Sequence, residues 1–236
     1  MNLLKPVWKL SKNIALSMNV TLLKGNVRSQ LQSLGAEQLP ESLLVHSKVV
    51  GSREQVLKYL PKGGVAIEVG VAYGDFSEKI IKEINPEKFI AIDAFGNLPI
   101  VSNKGNDELV DQDKSDHYNF YKARFREKID NGSLVMLRGY SWEMLSQLED
   151  NSIDYIYIDA DHSYKSVVKD IQASKKKIKP GGIIQFNDYT CFDTAGLEPY
   201  GVYKAVNEFL IAENYEVLYL CLHKYGANDV VIRAKR

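Results

Sequence analysis

The sequence predicts a doubly wound α/β domain, and three observations predict it. Short apolar runs of strand length alternate with segments of helical periodicity. Glycine and proline punctuate each exchange. The last two apolar runs are joined through Gly226 and Asn228 by a connection too short for a parallel crossover, so they form an antiparallel hairpin. Apolar strands alternating with helices imply a mostly parallel sheet covered on both faces.

The elements follow in order. A helix over 53–60 is ended by Pro61 and the Gly63-Gly64 pair. Residues 65–69 make the first strand. Phe76, Ile80, Ile81 and Ile84 then recur at helical spacing, and Pro86 closes that helix. Strands are predicted over 89–93, 133–137 and 154–159. Tyr164, Val167, Val168, Ile171 and Ile178 mark one face of a helix over 163–178, stopped by Pro180-Gly181-Gly182. A fifth strand covers 182–186. Val202, Ala205, Val206, Phe209 and Leu210 give one more helix before strands over 215–222 and 228–234.

Composition narrows the class. The 236 residues are 45% hydrophobic and 25% charged, which excludes a disordered or fibrous chain. Thirty basic residues balance thirty acidic ones, so there is no electrostatic footprint for nucleic acid. No apolar run approaches the length that spans a bilayer. Two cysteines, Cys191 and Cys221, are too few for a disulfide framework or a thiolate zinc site and suit a reducing, cytoplasmic location.

Residues 1–50 are expected to form a helical extension, and 51–236 the main domain. The first thirty residues hold Lys5, Lys9, Lys12, Lys24 and Arg28 but no acid, with Leu3, Val7, Trp8, Leu10, Ile14 and Met18 at roughly helical spacing. The favoured reading is a helix lying over the domain's own core or active site. Peripheral contact with an anionic membrane or a partner chain is the other.

Ligands of such sheets bind beyond the carboxyl ends of the strands. After the first strand the chain reads Glu68-Val69-Gly70-Val71-Ala72-Tyr73-Gly74. A dinucleotide fingerprint needs a glycine where Ala72 stands, and Glu68 would repel a pyrophosphate. An acid beside a glycine turn suits a cationic ligand, such as the amino group of an amino acid. Asp93 ends the second strand 23 residues after Gly70, where a carboxylate accepts the hydroxyls of an adenosine ribose. The structural alternatives are a tight strand-to-helix turn and a loop cap. Together the two features favour adenosine plus an amino acid over a nicotinamide dinucleotide.

On Glu68, Gly70 and Gly74, the Asp93 strand end and the closing hairpin, the chain over about 50–236 resembles the class I S-adenosylmethionine-dependent methyltransferases. The resemblance implies a Rossmann-like sheet of order 3-2-1-4-5-7-6 with the last strand antiparallel. It implies the methionine end of the cofactor near Glu68 to Gly70, with Tyr73 and Gly74 in the same turn, and the ribose on Asp93. The residues after the third strand would line the adenine, Ser141 and Trp142 foremost.

In that order the fourth and fifth strand ends are neighbours. The fourth ends in Asp159-Ala160-Asp161-His162-Ser163-Tyr164 and the fifth in Asn187-Asp188-Tyr189. Asp159, Asn187 and Asp188 are three oxygen donors with no thiolate, the set a hard cation such as Mg²⁺ takes. His162, three residues past Asp159, is a competent general base at neutral pH. The plainer readings make Asp161 or Ser163 a helix cap, His162 a solvated first-turn residue and Asp188 a loop residue.

The Ile158-to-Tyr164 run is also similar to the metal-dependent O-methyltransferases of the macrocin and mycinamicin sugar branch. That resemblance implies Asp159 and Asp188 as metal ligands, His162 as base, and Asp159 beside the cofactor. Asn187 departs from it, since the branch tends to carry an acid there, yet an amide oxygen still coordinates Mg²⁺. The function it implies is methyl transfer to a hydroxyl of a sugar or other polyhydroxylated small molecule. A non-catalytic adenosylmethionine-binding scaffold and a hydroxylase-like oxidoreductase are the alternatives, and a homo-oligomer is left open.

Three features remain. Residues 96–116 carry five acids in a long aperiodic stretch, read either as a lid over the acceptor or as a surface insertion, with His117, Tyr118 and Tyr121 offering a sugar-stacking surface. Residues 197–203 offer a second wall. Lys175, Lys176, Lys177 and Lys179 read as a solvated face at a helix C-terminus.

Overall fold

A computed structural model describes residues 35–96, 117–193, 198–224 and 226–235. The basic stretch 1–30, all but Gly96 of the expected lid up to Asp116, and Leu197 lie outside the described residues. One sheet organises the rest, with strands β1 (Lys48–Val50), β2 (Val65–Val69), β3 (Lys88–Asp93), β4 (Leu134–Arg138), β5 (Ile153–Ile158), β6 (Ile178–Phe186), β9 (Tyr215–Cys221) and β10 (Asp229–Ala234). Two residues each in β7 (Phe192–Asp193) and β8 (Glu198–Pro199) form a separate small ladder. The main sheet runs β1-β9-β10-β6-β5-β2-β3-β4.

Seven of these strands stand in the expected order, and β10 is antiparallel to both neighbours. The eighth was not expected. β1 pairs in parallel with β9, Lys48 opposite Tyr219, and extends the sheet at its edge. Three residues with exposed side chains at Lys48 and Val49 carry too little periodicity to announce a strand.

Strand alternation sorts the core into two layers. Ile67, Val69, Ile156, Ile158 and Ile184 face one side and pack on α6 (Tyr164–Lys177) and α7 (Val202–Ala212) through Val167, Ile171, Val206 and Leu210. Ala66, Tyr155, Tyr157 and Ile183 face the other and meet α2 (Asp75–Ile84) through Phe76, Ile80 and Ile84, together with α1 (Arg53–Val56). The helix expected over 53–60 tightens after Val56 into a 3₁₀ turn, Leu57–Tyr59. The second layer is unusual in polarity, because Glu68, Gln185 and Asp229 are buried among its side chains.

Two surface expectations are corrected. Lys177 is buried, and its Nζ donates to Ser146 O, Leu148 O and Asp150 Oδ1, closing the end of the short helix α5 (Ser141–Ser146). Only a long stem passing through apolar surface permits this. Tyr121 is also no stacking surface. It sits fully buried on α3 (His117–Arg124), which precedes α4 (Arg126–Asp130), with its hydroxyl donating to Ser77 Oγ, and His117 is buried beside it. The two residues lie four apart and share the core face of the helix.

Gly70, at φ 83°, fixes where β2 and β5 meet: a Cβ there would lie 1.9 Å from Asp159 O. Gly70→Ala is therefore expected to cost at least about 3 kcal/mol, combining a left-handed φ with a backbone collision. A urea midpoint within error of wild type would contradict this geometry.

Candidate active site

The strand ends of β2, β3, β4 and β5 surround a cleft of about 460 Å³, in the range of small-molecule sites. Gly70 and Ala72 form its floor, Asp93 one wall, and Gly139, Tyr140, Ser141 and Trp142 another. Asp159, Ala160 and Asp161 complete it. Asp93 is held in place by accepting Val71 N–H at Oδ2 (2.9 Å) and Phe95 N–H at Oδ1 (2.6 Å). Each oxygen keeps acceptor capacity for a diol.

The wall at Tyr140, Ser141 and Trp142 is anchored from behind. Ser141 Oγ donates to Asp170 Oδ1 on α6, and Tyr140 stacks on Trp142 at 5.0 Å with the Lys169 ammonium over the indole at 4.1 Å. Asp170 is 1% exposed, and burial pushes its carboxyl up to about 6 against the hydrogen bond from Ser141.

Three of the expected cofactor residues, Glu68, Tyr73 and Gly74, do not line this cleft. Glu68 alternates onto the opposite sheet face from Val69, where it is buried, accepts from Ser77 Oγ and has its carboxyl held well above the usual range by burial. From this position the carboxyl ties β2 to α2 through Ser77 and does not face the cleft. Tyr73 turns towards α3, edge-on to His117 and Phe120, with its carbonyl accepting from Arg124. Gly74, at φ 85°, starts α2, where a Cβ would strike the Phe125 ring.

The chemistry side of the site lies past β5 and β6. His162 Nε2 is 3.6 Å from Asp159 Oδ1 and 3.6 Å from Asp188 Oδ2. This atom is buried and has no hydrogen-bond partner among the described residues. Ser163, not Asp161, caps α6 by accepting Ser166 N–H, which places His162 just ahead of the helix. Tyr200 lies flat on the imidazole, 4.5 Å between centroids at 11°. That stacking depends on Gly201, whose N–H donates to His162 O at 2.7 Å and whose missing side chain leaves room for the Tyr164 backbone. Burial lowers the affinity of His162 for a proton, but Asp159, Asp188 and Asn187 outweigh it, so its pKa is raised. Burial likewise raises Asp188, whose left-handed φ of 51° belongs to a region that aspartate tolerates.

Sequence reasoning missed the residues behind this set. Arg53 Nη1 donates to Tyr157 OH (2.6 Å) and pairs with Asp159 Oδ2 (3.2 Å) under the Phe76 ring. Asn187 Nδ2 donates to Asp229 Oδ1 (3.2 Å), whose Oδ2 accepts from Gln185 (2.8 Å). Burial carries the Asp229 carboxyl up to about 7. The polar residues Asp170 and Ser174 inside the apolar stripe of α6 were the one legible signal of a hidden contact.

A methyltransferase-domain family matches residues 67–189, more than half of the chain. The chain belongs to that family. As a methyltransferase it uses S-adenosylmethionine, and the cleft fits that cofactor in volume, in the Asp93 diol acceptor and in the aromatic wall at Tyr140 and Trp142. No curated protein matches it. Its fold is similar to an O-methyltransferase from Bacillus cereus solved with S-adenosylhomocysteine (15% identity, TM-score 0.55, 89% of this chain and 91% of that one). It is similar also to a protein from Clostridium thermocellum described as a putative rRNA methylase (13%, 0.54, 80% and 100%) and to a protein from Corynebacterium glutamicum (15%, 0.53, 96% and 98%). Identities this low show the fold alone.

Mg²⁺ fits the methyltransferase less well. Among the described residues no three His, Cys, Asp and Glu side chains are arranged to hold a metal ion, so such a site would depend on the Asn187 amide oxygen. Asp159 already carries Arg53 on one oxygen and faces His162 with the other, and Asn187 adds no charge.

Burial of Asp170 links stability to pH. The folded protein binds this proton more tightly than the unfolded chain, so the contribution is full below 3.8 and is lost as pH rises through about 6. Relative to wild type, Asp170→Asn should gain stability as pH climbs across that window, measured as urea midpoints. A difference independent of pH would refute the shift.

Proposed function

We propose that the protein is an S-adenosylmethionine-dependent O-methyltransferase whose general base is His162 and whose acceptor is a small hydroxylated molecule, sugar-like in its density of hydroxyls. The observation that carries this reading is the buried, unpartnered His162 Nε2 between Asp159 and Asp188, next to a cleft that Asp159 also lines. The bound cofactor supplies an electrophilic methyl group on its sulfonium.

The residues of the chain do the rest. Cofactor ribose sits on Asp93 and adenine against Tyr140, Ser141 and Trp142. His162 Nε2 takes the proton of the acceptor hydroxyl, leaving an oxygen nucleophile in line with the methyl group. Asp159 and Asp188 stabilise the imidazolium that results, and Tyr200 fixes the ring plane. Asp188, facing His162 from the end of β6, offers an acceptor to a flanking hydroxyl of a polyol, which favours a sugar over a simple alcohol.

Calorimetric titration of S-adenosylhomocysteine tests the cofactor half of this reading, with micromolar binding expected and no binding its refutation. His162→Ala should lower kcat by roughly 10²–10⁴-fold with that affinity intact, and unchanged turnover would remove His162 from the mechanism. Because the His162 pKa is raised, kcat/KM should fall as pH drops through a value above the ordinary histidine range. A profile flat through that region would exclude a histidine base.

A further inference from the structure

We propose that the permanent cation of this active site is Arg53, a guanidinium built into the fold, and that Asp159 and Asp188 work without a divalent metal. Resting on the O-methyltransferase reading, this assigns Arg53 as a positioning residue that acts through Asp159.

Its placement is the first support. Arg53 is the first residue of α1, after the Ser52 cap whose side chain accepts Gln55 N–H. From there it reaches under the strand ends, with Tyr157 OH at 2.6 Å, Asp159 Oδ2 at 3.2 Å and the Phe76 ring centroid 4.7 Å from its Cζ. A guanidinium held by a phenol, a carboxylate and an aromatic face has few alternative rotamers and does not lose its charge. Tyr157 OH also lies 3.4 Å from Asp159 Oδ2, so that oxygen is enclosed by two donors.

The donor set is the second. A hard divalent cation takes oxygen ligands whose negative charge is free to offset its own. Of the expected ligands, Asp159 has one oxygen on Arg53 and the other 3.6 Å from His162 Nε2. Asp188 faces the same nitrogen at 3.6 Å. Asn187 is neutral and donates its amide to the buried Asp229. A divalent ion here would adjoin a fixed positive charge and find two carboxylates already facing cations or potential cations. The arrangement gives Asp159 a defined orientation towards His162, which is the service a metal would otherwise render.

The test uses the full chain, dialysed against EDTA and saturated with S-adenosylhomocysteine, titrated with Mn²⁺ and read by electron paramagnetic resonance. The expected result is no bound Mn²⁺ below about 1 mM, and methyl transfer unaffected by EDTA once an acceptor is in hand. Arg53→Met, which vacates one oxygen of Asp159, should acquire Mn²⁺ affinity that wild type lacks. Arg53→Lys, which keeps the charge, should not. Wild type binding Mn²⁺ at micromolar concentration, with at least about tenfold weaker binding in Asp188→Asn, overturns the inference, as does turnover abolished by EDTA and restored by Mg²⁺. Should the protein fail to bind S-adenosylhomocysteine, the cofactor reading falls. The Mn²⁺ titration of wild type then still decides the metal question.

Discussion

Two strand ends meet at Gly70, and the site depends on that meeting. The Gly70 N–H donates to Ile92 O and the Asp159 N–H to Val69 O, both at 2.8 Å, so three strands are stitched at the point where the chain turns away. Any side chain on residue 70 would occupy the space of the Asp159 carbonyl. The same contact therefore sets the floor of the cofactor cleft and the position of Asp159, which faces both the cleft and His162. The cleft and the Asp159–His162 pair are one geometric object. Their relative placement is held by backbone hydrogen bonds rather than by adjustable side chains.

The sheet face beneath this junction is built from polar residues that an ordinary core avoids. Glu68, Tyr155, Tyr157, Gln185 and Asp229 are buried there, linked by Ser77 to Glu68, Tyr155 to Gln185 and Gln185 to Asp229. Buried polar groups are costly unless every one finds a partner, and a network whose members are satisfied is correspondingly stiff. Burial of the carboxyls of Glu68 and Asp229 raises both, which lowers the charge the layer must accommodate. Arg53 supplies a positive charge to the same layer from α1.

Much of this was legible from residue types alone, for reasons that can be named. Strands buried on both faces announce themselves as apolar runs, and the acids that end them stand out against that background, hence Asp93, Asp159 and Asp188. The adjacency of β5 and β6 was enough to bring His162 and Asp188 together. What stayed hidden were contacts between distant segments whose own signals are ordinary. An arginine opening a short helix looks solvated until it meets Asp159, 106 residues away. Lys177 looked like one more exposed lysine, and β1 is too short to have a period. Glu68 was visible as unusual, but only the pleat decides which side of the sheet it takes.

The family match runs from residue 67 to residue 189, yet Arg53 and Asp229 lie outside it on either side. Arg53 is tied to the far edge of the sheet, since it follows β1, whose pairing with β9 secures the segment entering α1. Asp229 opens β10, the strand that joins β9 to the parallel core. The matched span thus carries the Gly70 turn, Asp93, Asp159, His162 and Asp188, while the Arg53 cation on Asp159 and the Asp229 partner of Asn187 are contributed by the flanks. Divergence of the chain ends can retune the electrostatics of the centre without altering a single residue of the matched motif.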